Sequence, residues 1–252
     1  MLTLLSPAKR LDETPRASST DPAFPDDTAA LLDVLRTKTA DDLGALMRLS
    51  PKLAALNAER YRDWDAAQPL PAIRVFAGDT YTGLDAATLD ADALRWAEGR
   101  LRILSGLYGL LRPTDAIRPY RLEMGTRLAT ARGRDLYAFW GERIARAVER
   151  DAEAAGTGTV LNCASVEYAR AALPHLRLPV VTPVFLEERP DGPKVVAFAA
   201  KRARGAMARF VMEERLEDPS DLRGFAAGGY AWRPEGSTAD APVFLRRAAV
   251  AA

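Results

Sequence analysis

Apolar positions in this chain alternate between short continuous runs and helical spacing, a pattern of buried strands set among amphipathic helices. Thr3–Leu5 predicts a strand whose C-terminal end delivers Ser6-Pro7-Ala8-Lys9 into a loop. Residues 12–26, rich in Pro, Ser, Thr and Asp, predict a loop. Leu31, Leu32 and Leu35 at helical spacing predict a helix over 27–37, with a further turn or two over 41–47. Ser50-Pro51 predicts the start of a helix to about residue 66, with Ser as cap and Pro in the first position. Ile73–Phe76 predicts a strand, 78–83 a turn and 90–99 a helix. Leu101–Leu104 predicts a buried strand followed by a turn through Gly106 and Gly109. Asp135 caps a predicted helix to about residue 155, with Tyr137, Trp140, Ile144 and Val148 on one face. Thr159–Leu161 predicts a strand, and Ser165 the cap of a helix through Leu173. Residues 180–186 and 194–199 predict a hairpin around the Arg-Pro-Asp-Gly turn at 189–192, with a basic helix from Ala200. Tyr230 and Phe244 are expected in closing strands, and the tail from Ala248 is expected to fray.

A chain of 252 residues fits one large domain or two small ones. It has no apolar run of membrane-spanning length. The N-terminus lacks the basic segment of a secretory signal. One cysteine precludes an internal disulfide and fits a reducing cytoplasm. With one histidine beside it, a His/Cys metal site is not expected; no metal and no cofactor are called for, and a monomer is favoured.

Charge changes the picture more than composition does. The formal net charge is +1. Residues 100–134 hold eight arginines against Asp115 and Glu123, a balance of +6. Residues 194–215 hold six cations against Glu213 and Glu214, a balance of +4, so the remainder carries −9. Two basic segments in a near-neutral chain form a positive groove if they meet, and such a groove suits a polyanionic or phosphorylated partner.

The candidate phosphate-binding residues sit at the ends of predicted elements. Lys9 follows the first strand. Gly106 and Gly109 permit close backbone approach, and Arg112, Arg118 and Arg121 supply guanidinium forks. Asn162 and Ser165 stand at a helix start, where free N–H groups favour anions. Lys201, Arg204 and Arg209 share a broad face of the basic helix. Cations near a helix start oppose its dipole and make more sense facing an anion.

The strings SPAK (6–9), LRILSGLYGLLRP (101–113), PYRLEMG (119–125), LYAFWG (136–141), NCASVEY (162–168) and AKRARGAM (200–207) resemble the YaaA family, in order and over essentially the whole chain. The resemblance implies a single mixed α/β (α+β) domain, a mixed sheet flanked by helices with a positively charged cleft. It also implies a cytoplasmic protein that limits free iron and oxidative DNA damage under peroxide stress. DNA binding would use that cleft and a helix-hairpin-helix-like element, which maps here to Gly106–Gly109. Nothing in the resemblance makes Cys163 a peroxide sensor.

Two functions follow. As a DNA binder, the chain would hold phosphates through Lys9, Arg112, Arg118, Arg121, Lys201, Arg204 and Arg209, preferring DNA structure over sequence. As an enzyme on a small phosphorylated or nucleotide-like substrate, it would use Lys9, Glu123 and Lys201 as catalytic candidates, with Asn162 and Glu167 nearby. A closed pocket joining Lys9, Arg121, Glu123, Asn162 and Lys201 would favour the enzyme; a long open groove would favour DNA.

Overall fold

The computed structural model describes residues 1–247; the tail expected to fray lies outside them. The first strand, β1 (Leu2–Leu5), is buried at all four residues, Thr3 included, as befits a central strand of a parallel sheet covered on both faces. After the SPAK loop come β2 (Arg10–Leu11), α1 (Pro25–Arg36), α2 (Ala40–Met47) and α3 (Pro51–Arg62). The second of these helices opens with a capping box between Thr39 and Asp42. The third opens on Ser50 with Pro51 in the first position, as the sequence predicts.

The stretch after Pro69 departs from expectation. Between β3 (Leu70–Pro71) and β4 (Phe76–Ala77), residues Ala72–Val75 form a single helical turn, α4, where a strand was expected. All three are short because the chain bends twice: β3 pairs with a strand at 116–117 and β4 with β2. The expected turn at 78–83 is the helix α5 (Asp79–Leu84). Packing imposes it. A Cβ on Gly83 would lie 2.0 Å from the Arg202 carbonyl, and one on Gly205 would lie 1.7 Å from the Thr80 carbonyl. Two glycines let the helix backbones touch.

Next come α6 (Ala91–Arg100), β5 (Leu101–Ser105), β6 (Gly109–Leu111) and β7 (Ala116–Ile117). Strands β5 and β6 form an antiparallel hairpin with Ser105 opposite Gly109. The Gly106–Gly109 turn is therefore a strand turn within the core, not an exposed helix-hairpin-helix. Gly109 has φ 72° with the Trp140 ring and Phe24 against it, and a Cβ on Gly106 would lie 2.4 Å from the Leu122 carbonyl. The Trp140 indole donates to the Gly106 carbonyl at 3.0 Å.

The helix expected over 135–155 is two, α7 (Leu136–Trp140) and α8 (Arg143–Ala154), broken at Gly141 with φ 50°. Strand β8 (Val160–Asn162) leads into α9 (Val166–Ala169), capped by Ser165 but shorter than expected. Strands β9 (Val180–Val181) and β10 (Val184–Glu187) follow. The expected hairpin partner at 194–199 is absent as a strand: a single bridge joins Glu187 to Lys194, and α10 (Ala197–Glu213) has already begun. The last strands are β11 (Tyr230–Arg233) and β12 (Val243–Arg246).

The fold is mixed α/β. A five-stranded sheet in the order β6-β5-β1-β8-β9 forms its centre, with all neighbours parallel except the β5–β6 hairpin. A three-stranded sheet, β10-β12-β11, packs beside α10 and gathers Phe185, Phe225, Tyr230 and Phe244 into edge-to-face and stacked contacts. The adjacent parallel strands β1 and β8 end together, so the loops leaving them, at 6–9 and 163–165, open on one side of the sheet. Such an edge is where α/β sheets hold ligands. No helix among the described residues is long and apolar enough to cross a membrane.

Candidate functional site

A cavity of about 470 Å³ lies at that edge. Its walls come from the 6–10 loop, β4 and the start of α5, residues 120–123, residues 163–168, and Lys201 and Arg204 of α10. The loop from β1 is fixed by bonds to Ser165 and Tyr81. Ser6 Oγ accepts the Ser165 N–H at 2.8 Å and donates to Ser165 Oγ at 3.2 Å, and the Tyr81 hydroxyl donates to the Ser6 carbonyl at 3.1 Å. Lys9 is thereby projected across the cavity.

Glu123 gathers the cations. Arg121 Nε and Nη2 donate to its Oε1 at 2.9 and 2.7 Å, and Lys9 Nζ stands 3.1 Å from its Oε2. The backbone carbonyl of Arg121 accepts from the buried Tyr61 hydroxyl, which anchors the segment from below. Lys201 and Arg204 approach from the opposite wall, with no ion pair among the described residues. Counting Arg10, five cations line the cavity against Asp79, Glu123 and Glu167.

Phe76, Tyr120 and Tyr168 form apolar parts of the lining. Tyr120 shares a 2.6 Å hydrogen bond with Ser105, and burial pushes its hydroxyl well above the usual phenol range. The Cys163 thiol also lines the cavity but is buried; burial pushes its pKa up to about 12, against a smaller opposing pull from Arg204. It is a protonated, unreactive thiol at neutral pH.

Lys9, Arg121, Glu123, Ser165, Glu167, Lys201 and Arg204 thus meet, although they come from four separate stretches of sequence. The other candidates lie elsewhere. Asn162 is buried beneath the site, accepting from the Ala164 N–H at 3.1 Å and donating to Thr182 at 3.3 Å, so it shapes the turn into α9. Gly106 and Gly109 are in the core. Arg118 donates to the Ala67 carbonyl at 3.0 Å with its guanidinium over Trp64. Arg209 donates to the Asp85 carbonyl at 2.9 Å and to Thr88 at 2.7 Å, closing the end of α5, and pairs with Glu213. Arg112 is exposed outside the cavity; its N–H is held by Asp115.

Sequence reasoning did not single out Arg10, Asp79, Tyr120 or Tyr168 for the site. Arg10 adjoins Lys9, and Tyr120 and Tyr168 lie within the PYRLEMG and NCASVEY strings. Asp79 became visible only when 79–84 folded as a helix. Among the described residues, no group of three or more His, Cys, Asp or Glu side chains is placed to hold a metal.

Residues 1–236 match the family model described as Peroxide stress protein YaaA. Curated relatives cover 98% of the chain. A UPF0246 protein of Cereibacter sphaeroides strain ATCC 17029 is 56% identical, covering 98% of this chain and 99% of its own length. One from Jannaschia sp. is 52% identical over 98% of this chain and 97% of its own. One from Ruegeria pomeroyi is 50% identical over 98% of each. The chain belongs to the YaaA family of peroxide stress proteins.

Proposed function

We propose that this peroxide-stress protein binds DNA in the cytoplasm, and that the cavity between β1, β8 and α10 receives one unstacked nucleotide of a distorted strand. The observation that carries the reading is the convergence of Lys9, Arg121, Lys201 and Arg204 on one aromatic-lined cavity of about 470 Å³. The size falls within the range of nucleotide-scale ligand clefts, roughly 300–1,000 Å³. A stacked duplex, with a major groove alone about 12 Å wide, does not enter such a space. An extruded nucleotide does, its base against the apolar lining while cations hold its phosphate.

Preference for DNA structure over sequence follows. Extruding a base costs a few kcal/mol in an intact duplex and least where the base is mismatched, damaged or already unpaired. DNA under oxidative attack offers such bases, which ties the cavity to the family's peroxide-stress role. The test compares a perfect duplex with the same duplex carrying a one-base bulge. We expect the bulge to bind about tenfold tighter, since about 1.4 kcal/mol of avoided extrusion is a factor of ten. Equal affinities contradict the reading.

Two observations favour a second reading, an enzyme acting on a free nucleotide-like substrate. Lys9, Arg121, Glu123 and Lys201, four of the five residues whose meeting in one pocket was expected to favour an enzyme, line a single cavity, which Asn162 does not. Glu123 is a carboxylate held between Lys9 and Arg121 inside the cavity, and phosphate binding alone has little use for it. Conversion of mononucleotides by the purified protein, abolished in Glu123→Gln, is the result that would move the assignment there.

A further inference from the structure

A second basic cavity, of about 510 Å³, adjoins the first. It is lined by Gly125, Arg127, Arg134, Asp135, Tyr137 and Arg170. Its arginines are largely uncommitted. Among the described residues Arg127 has no ion pair and no side-chain hydrogen bond. Arg170 lies over the Tyr137 ring at 4.8 Å, a contact that leaves its N–H groups free. Arg134 is 94% exposed and 3.8 Å from Asp135. That carboxylate is itself engaged as the cap of α7, accepting from the Ala138 N–H at 2.9 Å. By contrast Arg132, on the same loop, is bonded to Asp27 and covers the Phe139 ring. Arg127 and Arg170, which have no ion pair among the described residues, collect in this cavity with the exposed Arg134, while Arg132 outside it is paired with Asp27.

The two cavities share two walls. Residues 120–123 line the first, and the same segment continues to Gly125 and Arg127 in the second. The α9 region supplies Glu167 and Tyr168 to the first and Arg170 to the second. Glu167 is the partition: its Oε1 accepts the Gly125 N–H at 2.8 Å and its carbonyl accepts the Tyr137 hydroxyl at 3.0 Å. From Glu123 to Arg127 the chain spans at most about 14 Å. That is no more than about four phosphates at the 3.4 Å axial rise of one strand.

We propose that the Arg127–Arg134–Arg170 cavity holds the backbone phosphates flanking the nucleotide in the first cavity, so that one strand crosses the Glu167 partition. The site takes phosphodiesters, and its occupant is a strand of nucleic acid rather than a free nucleotide. This rests on the nucleotide reading of the first cavity.

The test measures binding of a bulged 12-mer duplex and of thymidine 5′-monophosphate across a salt series. The variants are Arg127→Ala/Arg170→Ala and, as an equal-charge control, Arg62→Ala/Arg95→Ala, whose side chains are each 70% exposed. All four positions are at the surface, and matching melting curves confirm the folds. The Arg127/Arg170 variant is expected to make the slope of log affinity against log salt shallower by about two, at about 0.9 per phosphate contact. It should leave thymidine monophosphate binding unchanged, and the control should alter neither. Unchanged oligonucleotide binding, an equal effect in the control, or an equal loss of mononucleotide binding overturns the proposal. If the oligonucleotide depends on Arg127 and Arg170 while the parent protein shows no mononucleotide binding, the strand site stands and the reading of the first cavity falls.

Discussion

Lys9 and Glu123, more than a hundred residues apart in sequence, form an ion pair of 3.1 Å across the mouth of the cavity. Glu123 also takes two hydrogen bonds from Arg121. This carboxylate offsets one of the two positive charges that Lys9 and Arg121 bring to the cavity. Glu123→Gln keeps the shape and removes the charge. We expect DNA affinity to hold or rise and the salt slope to steepen by up to about one unit as freed cations engage phosphate. Titrations with a fluorescent oligonucleotide read this directly; a large loss of affinity would mean that Glu123 does more than restrain Lys9 and Arg121.

The arginines outside the cavity should behave differently. Arg118 and Arg209 bond to the main chain, at Ala67 and at the end of α5. Arg118→Ala and Arg209→Ala should lower stability by about 0.5–1.5 kcal/mol each, the net worth of a typical hydrogen bond whose acceptor water can reach. The salt slope of DNA binding should stay as it is. A slope shallower by one unit in either variant would place these residues among the phosphate contacts.

Gly205→Ala should be costly despite adding one methyl group. Its Cβ would lie 1.7 Å from the Thr80 carbonyl, so α5 must move away from α10. Overpacking of this kind costs about 1–3 kcal/mol, or roughly 2–12 °C of melting temperature for a domain of this size. Because Thr80 lines the cavity, DNA binding should weaken as well. A neutral effect on both would show that the two helices separate freely.

Burial of Cys163 and of several tyrosines sets the alkaline limit. Cys163 is raised from 9.0 to about 12 in the folded state, and Tyr61, Tyr81, Tyr108, Tyr120 and Tyr168 are raised above 10.0. Above about pH 9 the unfolded chain releases protons that the folded chain keeps. The unfolded state then binds fewer protons, so stability falls with rising pH. It should be level with respect to these groups below pH 9 and decline from there upward, as measured by urea unfolding at stepped pH. Cys163→Ser should leave peroxide survival intact and remove the earliest part of the decline. Sensitivity equal to a deletion strain would contradict the view of this thiol as inert.

How far the sequence reached depends on what decided each element. The cores of β1 and β5 were legible because leucine and isoleucine dominate both runs, although Thr3 in β1 and Arg102 and Ser105 in β5 are buried with them. The helix at 25–36 was legible from apolar spacing, although it begins at Pro25 without the side-chain cap expected from Asp27 or Thr28, and the helix at 51–62 was legible from its Ser50 cap and Pro51. Residues 79–84 were not, since Asp-Thr-Tyr-Thr-Gly carries turn chemistry and only contact with α10 makes it helical. The break at Gly141 looked like helix interior because the apolar face continues across it. In the site, Lys9, Arg121, Glu123, Lys201 and Arg204 were legible as charged groups at element ends. Arg112, Arg118 and Arg209 carry the same signal; nearby main-chain carbonyls recruit Arg118 and Arg209, and Arg112 projects away. The Arg127–Arg134–Arg170 cluster lay within a basic segment already noted, but only the fold of α9 against residues 121–127 joins it.

The most direct test is the salt dependence of DNA binding in Lys9→Ala, Arg121→Ala and Lys201→Ala, three positions distant in sequence and joined by one cavity. Each should weaken binding similarly across unrelated DNA sequences and make the slope of log affinity against log salt shallower by about one unit. A parent slope near zero, or three correctly folded variants that keep the parent slope, would contradict the cavity as the DNA site.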